Sequence, residues 1–463
     1  MSQDKTVGLA ISGKHYETLR AHLFPGDGKE AVAFAVCGRA RRPECEMLLV
    51  RDVIAVPYAS CHRSEHRITW PGTVLDPILT RAMAEGLGLV KIHSHPNGYP
   101  WFSDTDDQAD ADLFPSVFGW LGNNGPMASA IMLPDGTLVG RSVTENGISD
   151  PLARIRVAGS EFKFWPDVTG IDVPAHDKRT AQAFGEGTYA RLRGLKVGVV
   201  GCSGTGSVVI EQLARNSIGT LVLVDCDHIE SKNLNRILNS TAVDAATALD
   251  KPSVQARAIK AMEMGTKITM HPYALSDRRA LDDLSTCDVV FGCMDSIDGR
   301  HILNKLSTAY LIPYIDVGVR LDADRNGGID GIWLAVHTLQ PGGSSLKSRR
   351  VYDQADLEAA FLQRNSVEYE RLKKHGYVKN VDVDRPAVIS VNMQAASIAV
   401  NEFLARIHGF RFQPCGAFAV RKVALHDEDN NLVMGDGDVC LEFARGVGRG
   451  DQSPFLGMPA LGE

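Results

Sequence analysis

The chain has 463 residues, of which 44% are hydrophobic and 23% charged, and its formal net charge is −7. At about 100–200 residues per domain this length predicts two to four domains, and the balanced composition excludes disorder, collagen and coiled coil as the main architecture. The negative charge argues against nucleic acid as a partner, and no apolar run approaches the roughly 20 residues of a transmembrane helix. The N-terminal residues lack a secretory pattern, and nine cysteines without a C-x-x-C pair favour a reduced, cytoplasmic setting.

Residues 1–145 predict a mixed α/β domain. Residues 31–37 and 47–56 are rich in Val, Ile and Leu, as strands are. Residues 76–87 carry apolar side chains at helical spacing, and residues 89–95 return to strand character. The alternation of strand and helix signals, without an internal repeat, indicates one compact α/β unit.

The rest of the chain predicts three further segments. Residues 146–178 are rich in loop signals and predict a linker. From 179 to 445 short apolar strands alternate with helices, which predicts a parallel sheet with crossover helices. Residues 446–463 are rich in Gly and Pro and predict a flexible tail. The fold class is therefore α/β, with a mixed domain followed by a doubly wound domain.

Residues 91–106, KIHSHPNGYPWFSDTD, predict a metal centre. His93 and His95 are two apart on a predicted strand, so both imidazoles face one side and can bind one zinc ion. Ser103 begins a polar run typical of a helix N-cap, and Asp106 offers an oxygen ligand at the start of that helix. A water molecule in the open fourth position would be activated for hydrolysis, with Ser103 donating a hydrogen bond to the developing oxyanion.

The full spacing H-x-H-x7-S-x2-D resembles the metal-binding motif of the JAB/MPN (JAMM) metalloproteases, a family that includes deubiquitinating enzymes. The resemblance covers roughly residues 8–145. It implies zinc-dependent peptidase or isopeptidase action after the C-terminal Gly of a ubiquitin-like protein. It also implies a glutamate on an early strand as general acid/base: Glu30 fits that position best, and Glu44 and Glu46 are the competing candidates.

A Gly-rich turn lies between a predicted strand, residues 195–200, and the following helix. The glycines of this turn let the backbone approach phosphate at the helix N-terminus, and they are Gly201, Gly204 and Gly206. Asp225 ends the next strand, where an acid binds ribose hydroxyls. These features alone do not separate NAD from ATP. A triphosphate is favoured by a cationic N-L-N-R stretch, a lysine, and an acid at the carboxyl edge of the sheet, namely Asn233, Arg236, Lys251 and Asp295.

Together these residues resemble the ThiF/MoeB/HesA and ubiquitin-activating-enzyme superfamily over about residues 178–425. The resemblance implies a Rossmann-like adenylation domain in which Asp225 binds ribose and Asp295 holds Mg²⁺ and the reacting phosphate. The phosphates would be contacted by Asn233, Arg236 and Lys251. Homodimeric members use an arginine ahead of the first strand to reach the partner's ATP, and this makes Arg179 a candidate and implies a homodimer. Ser203 replaces one glycine of the superfamily pattern.

The superfamily pattern breaks where many relatives carry cysteines. The stretch HTLQPGGSSLKS, residues 337–348, has Ser345 and Ser348 at the two cysteine positions, and no cysteine lies between Cys293 and Cys415. Four explanations stay open. A serine accepts the acyl group as an oxyester, with Ser345 first and Ser348 or Ser366 next; the adenylate passes directly to a separate conjugating protein; the serines are solvated loop residues; or the serines replace cysteines by engineering.

We therefore expect a bifunctional enzyme with a zinc peptidase domain and an ATP- and Mg²⁺-dependent domain that activates the C-terminal tail of a ubiquitin-like protein. Gene fusions of this kind resemble bacterial ubiquitination-like operons, some of them linked to phage defence. One rival is activation of a sulfur-carrier protein, which the missing cysteines make less natural. The other is a non-catalytic scaffold that binds partners.

Overall fold

The computed structural model describes residues 5–122, 125–323, 326, 328–364 and 388–462. The chain divides into two compact units. The first unit comprises Met1–Asp167, Thr308–Leu311 and Arg445–Glu463, and the second comprises Val168–Ser307 and Ile312–Ala444.

The first unit alternates strands and helices in its main part. Its elements are β1 (Thr6–Ser12), α1 (Gly13–Leu23), β2 (Val32–Arg41), β3 (Cys45–Ala55), β4 (His62–Arg63), β5 (Ile68–Thr69), α2 (Asp76–Glu85), β6 (Gly88–Ser94), α3 (Asp104–Leu121), β7 (Met127–Met132), β8 (Leu138–Thr144), β9 (Gly147–Pro151), β10 (Arg154–Ala158) and β11 (Phe162–Trp165).

One mixed sheet organises this unit. Its strand order within the described residues is β11-β10-β1-β3-β2-β6-β7-β8-β9. β2 lies near the middle, and its residues from Val32 to Ala40 are all buried, as expected of a strand covered on both faces. The helices α2 and α3 pack over this part of the sheet through an apolar cluster that includes Phe34, Leu79 and Phe114. The buried apolar face fixes which side chains of β6 point toward α3.

Residues 146–178 differ from the irregular linker that their weak periodicity predicts. They contain β9, β10 and β11, all of which belong to the first sheet. β10 pairs in parallel with β1, so that Ile155 lies opposite Leu9, and β11 pairs with β10 as an antiparallel strand. A strand of five residues whose partner lies at the start of the chain is specified by long-range pairing, which local periodicity does not report.

Residues 446–463 also differ from the predicted flexible tail: up to residue 462 they form an ordered segment of the first unit. A Cβ atom on Gly450 would lie 2.1 Å from the carbonyl oxygen of Arg39, so this residue must be glycine for the segment to approach β2. Asp451 Oδ2 accepts a hydrogen bond from the backbone N–H of Arg41 at 2.7 Å. The glycines that read as loop signals are what permit the close packing.

The second unit repeats a strand and helix alternation. Its elements are α4 (Lys178–Phe184), α5 (Glu186–Gly194), β12 (Lys196–Val200), α6 (Gly204–Arg215), β13 (Thr220–Val224), α7 (Ala242–Ala246), α8 (Lys251–Met262), β14 (Lys267–His271), α9 (Arg278–Leu284), β15 (Val289–Gly292), α10 (Ile297–Tyr310), β16 (Tyr314–Ala323), β17 (Ile329–Leu339), α11 (Gln354–Arg364), α12 (Ile389–Ile407), β18 (Val420–Ala424), β19 (Leu432–Met434) and α13 (Leu441–Ala444).

The sheet of this unit has the described strand order β14-β13-β12-β15-β16-β17-β18-β19. The pairs from β14 to β16 are parallel, and β16 to β19 are antiparallel. The chain runs outward from β12 to β14 and then returns to β15 on the other side of β12. Such a reversal opens a crevice at the carboxyl ends of the two central strands, where ligands bind in sheets of this kind. The predicted α/β fold class is confirmed.

None of the helices formed by the described residues combines the length and the apolar character that crossing a bilayer requires.

Candidate functional site

Two imidazoles meet a carboxylate at the carboxyl end of β6. His93 lies in β6 and His95 comes directly after it, so both side chains face the same side, and their Nε2 atoms are 3.1 Å apart. Asp106, in the first turn of α3, brings Oδ1 to 2.9 Å from His93 Nε2 and Oδ2 to 3.4 Å from His95 Nε2. The three side chains predicted as metal ligands are therefore next to one another.

The spacing between Ser103 and Asp106 has a local structural reason. Ser103 is the N-cap of α3, and its Oγ accepts a hydrogen bond from the backbone N–H of Asp106 at 3.3 Å. The N–H and the hydroxyl of Ser103 each donate to Asp106 Oδ2 at 2.7 Å, which completes a capping box. In this arrangement the Ser103 hydroxyl orients Asp106 rather than an oxyanion, and the oxyanion role stays a prediction.

The donor set fits a zinc ion, which prefers imidazole nitrogen and carboxylate oxygen. Burial lowers the pKa of His93, which favours the neutral form that a ligand needs. Burial acts in the same direction on His95, but hydrogen bonds to Asp106 and to the carbonyl of Tyr99 outweigh it and raise the pKa of His95. His95 Nδ1 lies 2.8 Å from Tyr99 O, which directs Nε2 to the site. Burial alone would raise the pKa of Asp106, but hydrogen bonds from the two imidazoles and Ser103 hold it far below its usual value.

Glu30 lies beside this cluster. β2 and β6 are antiparallel with Val32 opposite His93, and the same register continued by two residues brings Glu30 opposite His95. The side chain is buried, and burial raises the pKa of Glu30 to about 7 against the lowering effect of His95. A carboxyl group that titrates near neutral pH is suited to general acid/base chemistry.

The competing glutamates lie at the other end of the same strands. Glu46 is opposite Arg41, the last residue of β2, and it forms a buried ion pair with Arg39 at 2.8 Å. Glu44 precedes β3 at that same end. Of the three candidates for the general acid/base, Glu30 is the one that stands next to the two imidazoles.

A small cavity beside the cluster has a wall that the sequence did not predict. Glu30, His93 and Asp106 line it together with His66 and Trp70, which lie in and after the hairpin of β4 and β5. That hairpin is held against Glu30, whose carbonyl oxygen accepts a hydrogen bond from Arg63 Nε at 2.7 Å. Strands of two residues carry no periodicity signal. The contribution of this hairpin to the cavity could therefore not be predicted from the sequence.

The Gly-rich turn follows β12 in the second unit. Gly201 has φ 92°, a left-handed conformation that favours glycine. A Cβ atom on Gly206 would lie 1.7 Å from the carbonyl oxygen of Gly201, and one on Gly204 would lie 2.4 Å from Asn392 Nδ2. The turn therefore packs too closely for a side chain at 206, whereas at 204 the Asn392 side chain would have to move. Helix α6 begins at this point, where backbone N–H groups favour phosphate.

Asp225, at the end of β13, is tied to this turn. Its Oδ2 accepts a hydrogen bond from the backbone N–H of Cys202 at 2.7 Å, and its Oδ1 accepts one from Asp227 N at 2.9 Å. Lys251 Nζ donates to Asp227 Oδ2 at 2.7 Å. Burial raises the pKa of Asp225, and the nearby Lys251 opposes that effect. The acid and the lysine predicted to bind nucleotide are thus joined through one short loop.

Two other predicted nucleotide ligands lie in the segment after that loop. Asn233 is buried, and its Oδ1 accepts a hydrogen bond from Glu230 N at 3.0 Å. Arg236 donates from Nη1 to the carbonyl oxygen of Lys232 at 2.7 Å. A Cβ atom on Gly204 would lie 3.4 Å from the Arg236 stem, so the arginine borders the start of α6.

The acid predicted to hold magnesium lies across the crevice. Asp295 is exposed in the connection between β15 and α10. The backbone of this connection contacts the Gly-rich turn, because a Cβ atom on Gly201 would lie 2.7 Å from the carbonyl oxygen of Cys293. Arg179 is exposed on α4, and its predicted role depends on a second copy of the chain.

The serine that we predicted first as acyl acceptor is not accessible. Ser345 is 1% exposed, and its Oγ accepts a hydrogen bond from the backbone N–H of Ser348 at 3.0 Å. Ser348 Oγ in turn accepts from Ser345 N at 2.9 Å, so the two serines close a turn on themselves. This packing disfavours attack by Ser345 on an acyl-adenylate. Ser366 lies outside the described residues.

A neighbouring serine, Ser344, was missed by the sequence analysis. Its hydroxyl donates to Asp436 Oδ1 and accepts from Arg349 Nε at 2.7 Å. Arg349 also donates to the carbonyl oxygens of Thr338 and Ala419. The Ser344 hydroxyl is thus hydrogen-bonded to both Asp436 and Arg349, and this serine stabilises the turn. No local pattern could have revealed it, because Asp436 is distant in the sequence.

Comparison with protein families matches both parts of the chain. Residues 176–428 match the ThiF family, and residues 12–134 match the prokaryotic homologs of the JAB domain. The predicted fusion of these two domains is confirmed. The ThiF match covers more than half of the 463 residues.

Curated relatives match over a shorter stretch. The ubiquitin-like modifier-activating enzyme 5 of Drosophila willistoni is 29% identical over 147 residues, which cover 29% of this chain and 36% of the relative. The adenylyltransferase and sulfurtransferase MOCS3 of Mus musculus is 34% identical over 115 residues, which cover 25% of this chain and 24% of the relative. The match therefore spans 36% of the length of the first relative and 24% of the second.

Among solved structures, E. coli MccB with MccA-N7isoASN has a TM-score of 0.44 and 19% identity, covering 58% of this chain and 75% of that chain. PaaA has a TM-score of 0.42 and 18% identity, covering 60% and 76%. The family match over residues 176–428 decides the assignment: the protein belongs to the ThiF family and carries a JAB-like domain ahead of its ThiF domain.

Proposed function

We propose that the protein is a bifunctional enzyme of a ubiquitin-like modifier. Its ThiF domain uses ATP and Mg²⁺ to adenylate the C-terminal Gly carboxylate of the modifier for conjugation. Its JAB-like domain is a zinc-dependent peptidase or isopeptidase that processes or removes the same modifier. The observation that carries the proposal is the crevice between β12 and β15, where the Gly-rich turn, the buried Lys251 and the exposed Asp295 border one sheet edge.

In the proposed adenylation, an oxygen of the Gly carboxylate forms a bond to the α-phosphorus of ATP. The bond from that phosphorus to the bridging oxygen of the β-phosphate breaks, and pyrophosphate leaves with the electron pair. Lys251 and Arg236 counter the charge on the phosphates, and Asn233 contacts them. Asp225 binds ribose hydroxyls, and Asp295 holds Mg²⁺.

We further propose that the active form is a homodimer in which Arg179 reaches the nucleotide of the partner. Its exposure on α4 is consistent with this role, because an exposed guanidinium is accessible to a second copy of the chain. Sedimentation of the purified chain, followed by nucleotide titration of Arg179→Ala, tests the two parts of this idea separately.

The adenylate is expected to pass directly to a separate conjugating protein. The burial of Ser345 and its hydrogen bond from Ser348 support direct transfer over a serine oxyester. The test is mass spectrometry of the chain after incubation with ATP, Mg²⁺ and a ubiquitin-like protein that ends in Gly, compared with Ser345→Ala. We expect free acyl-adenylate and no covalent adduct in both proteins. A hydroxylamine-labile adduct mapped to Ser345 would contradict this.

In the proposed peptidase site, His93, His95 and Asp106 would hold zinc, which supplies Lewis-acid activation for amide hydrolysis when bound. Ser103 orients the Asp106 carboxylate through two hydrogen bonds. The Glu30 carboxylate takes a proton from the attacking water and then donates it to the leaving amine. A pKa of about 7 suits this role.

The peptidase proposal is tested with ubiquitin-like proteins that carry a short peptide after the C-terminal Gly. Cleavage by the full chain should stop after zinc chelation and return when zinc is added back. His93→Ala should be inactive, whereas His62→Ala, which removes an exposed histidine, should cleave normally. Cleavage that survives both chelation and His93→Ala would overturn the proposal.

A second candidate is activation of a sulfur-carrier protein, which the match to MOCS3 favours. The described cysteines argue against it, because most are partly or fully buried and the exposed Cys226 lies in the nucleotide loop. Mass spectrometry distinguishes the two functions: sulfur transfer leaves a thiocarboxylate on the carrier, and modifier conjugation leaves an amide.

A further inference from the structure

We infer that Asp110, Lys91 and Arg141 form a positioning triad that holds Asp106 in place and thereby sets the metal affinity of the site. This inference rests on the proposed metal site and deepens it. Asp110 and Arg141 act through the placement of α3, and Lys91, which also lines the small cavity beside the cluster, acts through its ion pair with Asp110.

The two cations belong to one row of the first sheet. Lys91 on β6 lies opposite Ser129 on β7, and Ser129 lies opposite Arg141 on β8. The row is buried, with Lys91 2% and Ser129 0% exposed. Since Lys91 and His93 are two apart on β6, the row lies on the same face as the metal ligands.

Asp110 closes this row from the helix. Its carboxylate is 0% exposed and forms an ion pair with Lys91. Its Oδ2 accepts hydrogen bonds from Arg141 Nε at 3.1 Å and Nη2 at 2.6 Å. Asp110 lies four residues after Asp106 on α3, so the two carboxylates share one face of the helix, one turn apart.

Arg141 also contacts the residues around the start of α3. Its Nη1 donates to Asp107, the residue next to Asp106. Its guanidinium lies over the ring of Phe102 at 3.8 Å from the centroid, and Phe102 directly precedes the N-cap Ser103. One arginine therefore contacts the chain before and after Asp106, at Phe102 ahead of α3 and at Asp107 within it.

The two halves of α3 are fixed by different kinds of contact. The apolar side chains that α3 packs into the core come from its second half, among them Phe114, Val117 and Phe118. The first half reads DTDDQADAD, and its buried residues are Asp106 and Asp110. Hydrophobic contact therefore anchors the C-terminal turns, whereas the turns that carry the ligand are held by the Ser103 capping box and by ion pairs.

A buried ion pair is weak evidence for stability, because desolvation offsets much of the attraction. Its geometry is nevertheless directional: Arg141 donates two hydrogen bonds to Oδ2 of Asp110 while Lys91 faces Oδ1, and this pair of contacts fixes the rotation of α3 about its axis. Partners that orient a metal ligand in this way typically change metal affinity about 10–100-fold when they are removed.

The test is titration of the purified full chain, freed of metal, with Co²⁺ alone, followed by its absorption bands and by competition with a chelator. Asp110→Asn should bind Co²⁺ about 10–100-fold more weakly and show altered bands, because Asp106 no longer lies in its place. Arg141→Lys keeps the positive charge but loses the planar guanidinium that donates two hydrogen bonds to Asp110. Its Co²⁺ affinity should lie between those of the parent chain and Asp110→Asn. Asp112→Asn, an exposed acid on the same helix, should bind like the parent chain.

Circular dichroism of each metal-free variant separates folding from positioning. If Asp110→Asn does not fold, Arg141→Lys decides the question. Folded Asp110→Asn or Arg141→Lys with parental Co²⁺ affinity and bands would overturn the positioning role while the metal site stands. A parent chain that binds no Co²⁺ would overturn the metal site and this inference together.

Discussion

Lys251 Nζ donates a hydrogen bond to Asp227 Oδ2 across 2.7 Å, and the backbone N–H of Lys251 donates to Asp227 O at 3.0 Å. The lysine side chain is 7% exposed, whereas that of Asp227 is 66% exposed. In the proposed adenylation site, an incoming phosphate would meet an ammonium group that this pair already holds in place, and it would compete with an exposed carboxylate. The pair therefore positions the side chain that we propose binds phosphate.

Replacing this lysine is expected to weaken ATP binding. Lys251→Ala removes a charge-assisted contact worth about 1.5–3 kcal/mol, which corresponds to an affinity loss of about 10–100-fold. Calorimetric titration with a non-hydrolysable ATP analogue and Mg²⁺ measures the effect. Lys260→Ala, an exposed lysine on the same helix, is the matched control, and equal affinities for both variants would refute the assignment of Lys251.

The Gly-rich turn is expected to tolerate no side chain at position 206. Gly206→Ala would place a Cβ atom 1.7 Å from the carbonyl oxygen of Gly201, and the backbone must shift to relieve the overlap. We expect a loss of about 1–3 kcal/mol or more in the free energy of unfolding and loss of nucleotide binding. Gly187→Ala, where a Cβ atom meets open space, should leave both unchanged. Normal nucleotide binding by Gly206→Ala would show that the turn does not approach phosphate.

The acid/base assignment predicts a pH-dependent effect. Glu30→Gln should lower peptidase turnover by about 10²–10⁴-fold while the chain still binds metal. Burial raises the pKa of Glu30 to about 7 in the metal-free chain, and a bound cation lowers it. The carboxylate needed as a base is lost as pH falls through this lowered pKa, so the activity of the loaded enzyme should rise with pH and reach its plateau at or below pH 7. A pH-rate profile measures this limb, and a limb that persists unchanged in Glu30→Gln would rule the assignment out.

The C-terminal segment is expected to stabilise the first unit. Asp451 accepts hydrogen bonds from Arg41 N at 2.7 Å and from Arg42 Nη1 at 3.0 Å. Asp451→Ala removes both of these hydrogen bonds. We expect a loss of about 1–3 kcal/mol in the free energy of unfolding, measured by urea denaturation. Asp438→Ala, an exposed acid, serves as control. A variant as stable as this control would mean that the segment does not contribute.

The clustering of the proposed metal ligands and the form of the Gly-rich turn were predictable because their geometry is local. His93 and His95 share a strand face by alternation, and Ser103 and Asp106 meet through a capping box that spans three residues. The Gly-rich turn likewise joins one strand to the helix that follows it. In each case the spacing along the chain fixes the distance in space, so the sequence alone brings the side chains together.

What the sequence did not predict depends on long-range contacts. Lys91 and Arg141 meet Asp110 only because β6, β7 and β8 align in one register, and the sequence carries no sign of that alignment. Ser345 was a reasonable acyl acceptor by residue type, but its burial follows from packing. β10 and the C-terminal segment were read as irregular because their partners, β1 and β2, lie far away along the chain.

The proposed function requires the ThiF domain to form an acyl-adenylate on a C-terminal Gly. ATP–pyrophosphate exchange, stimulated by each of a panel of ubiquitin-like proteins that end in Gly, measures this step directly. We expect exchange that requires a free C-terminal carboxylate, is lost in Asp295→Ala and is kept in Asp330→Ala, which changes an exposed acid. Exchange that Asp295→Ala retains, or no exchange with any member of the panel, would contradict it and favour a scaffold that binds partners without catalysis.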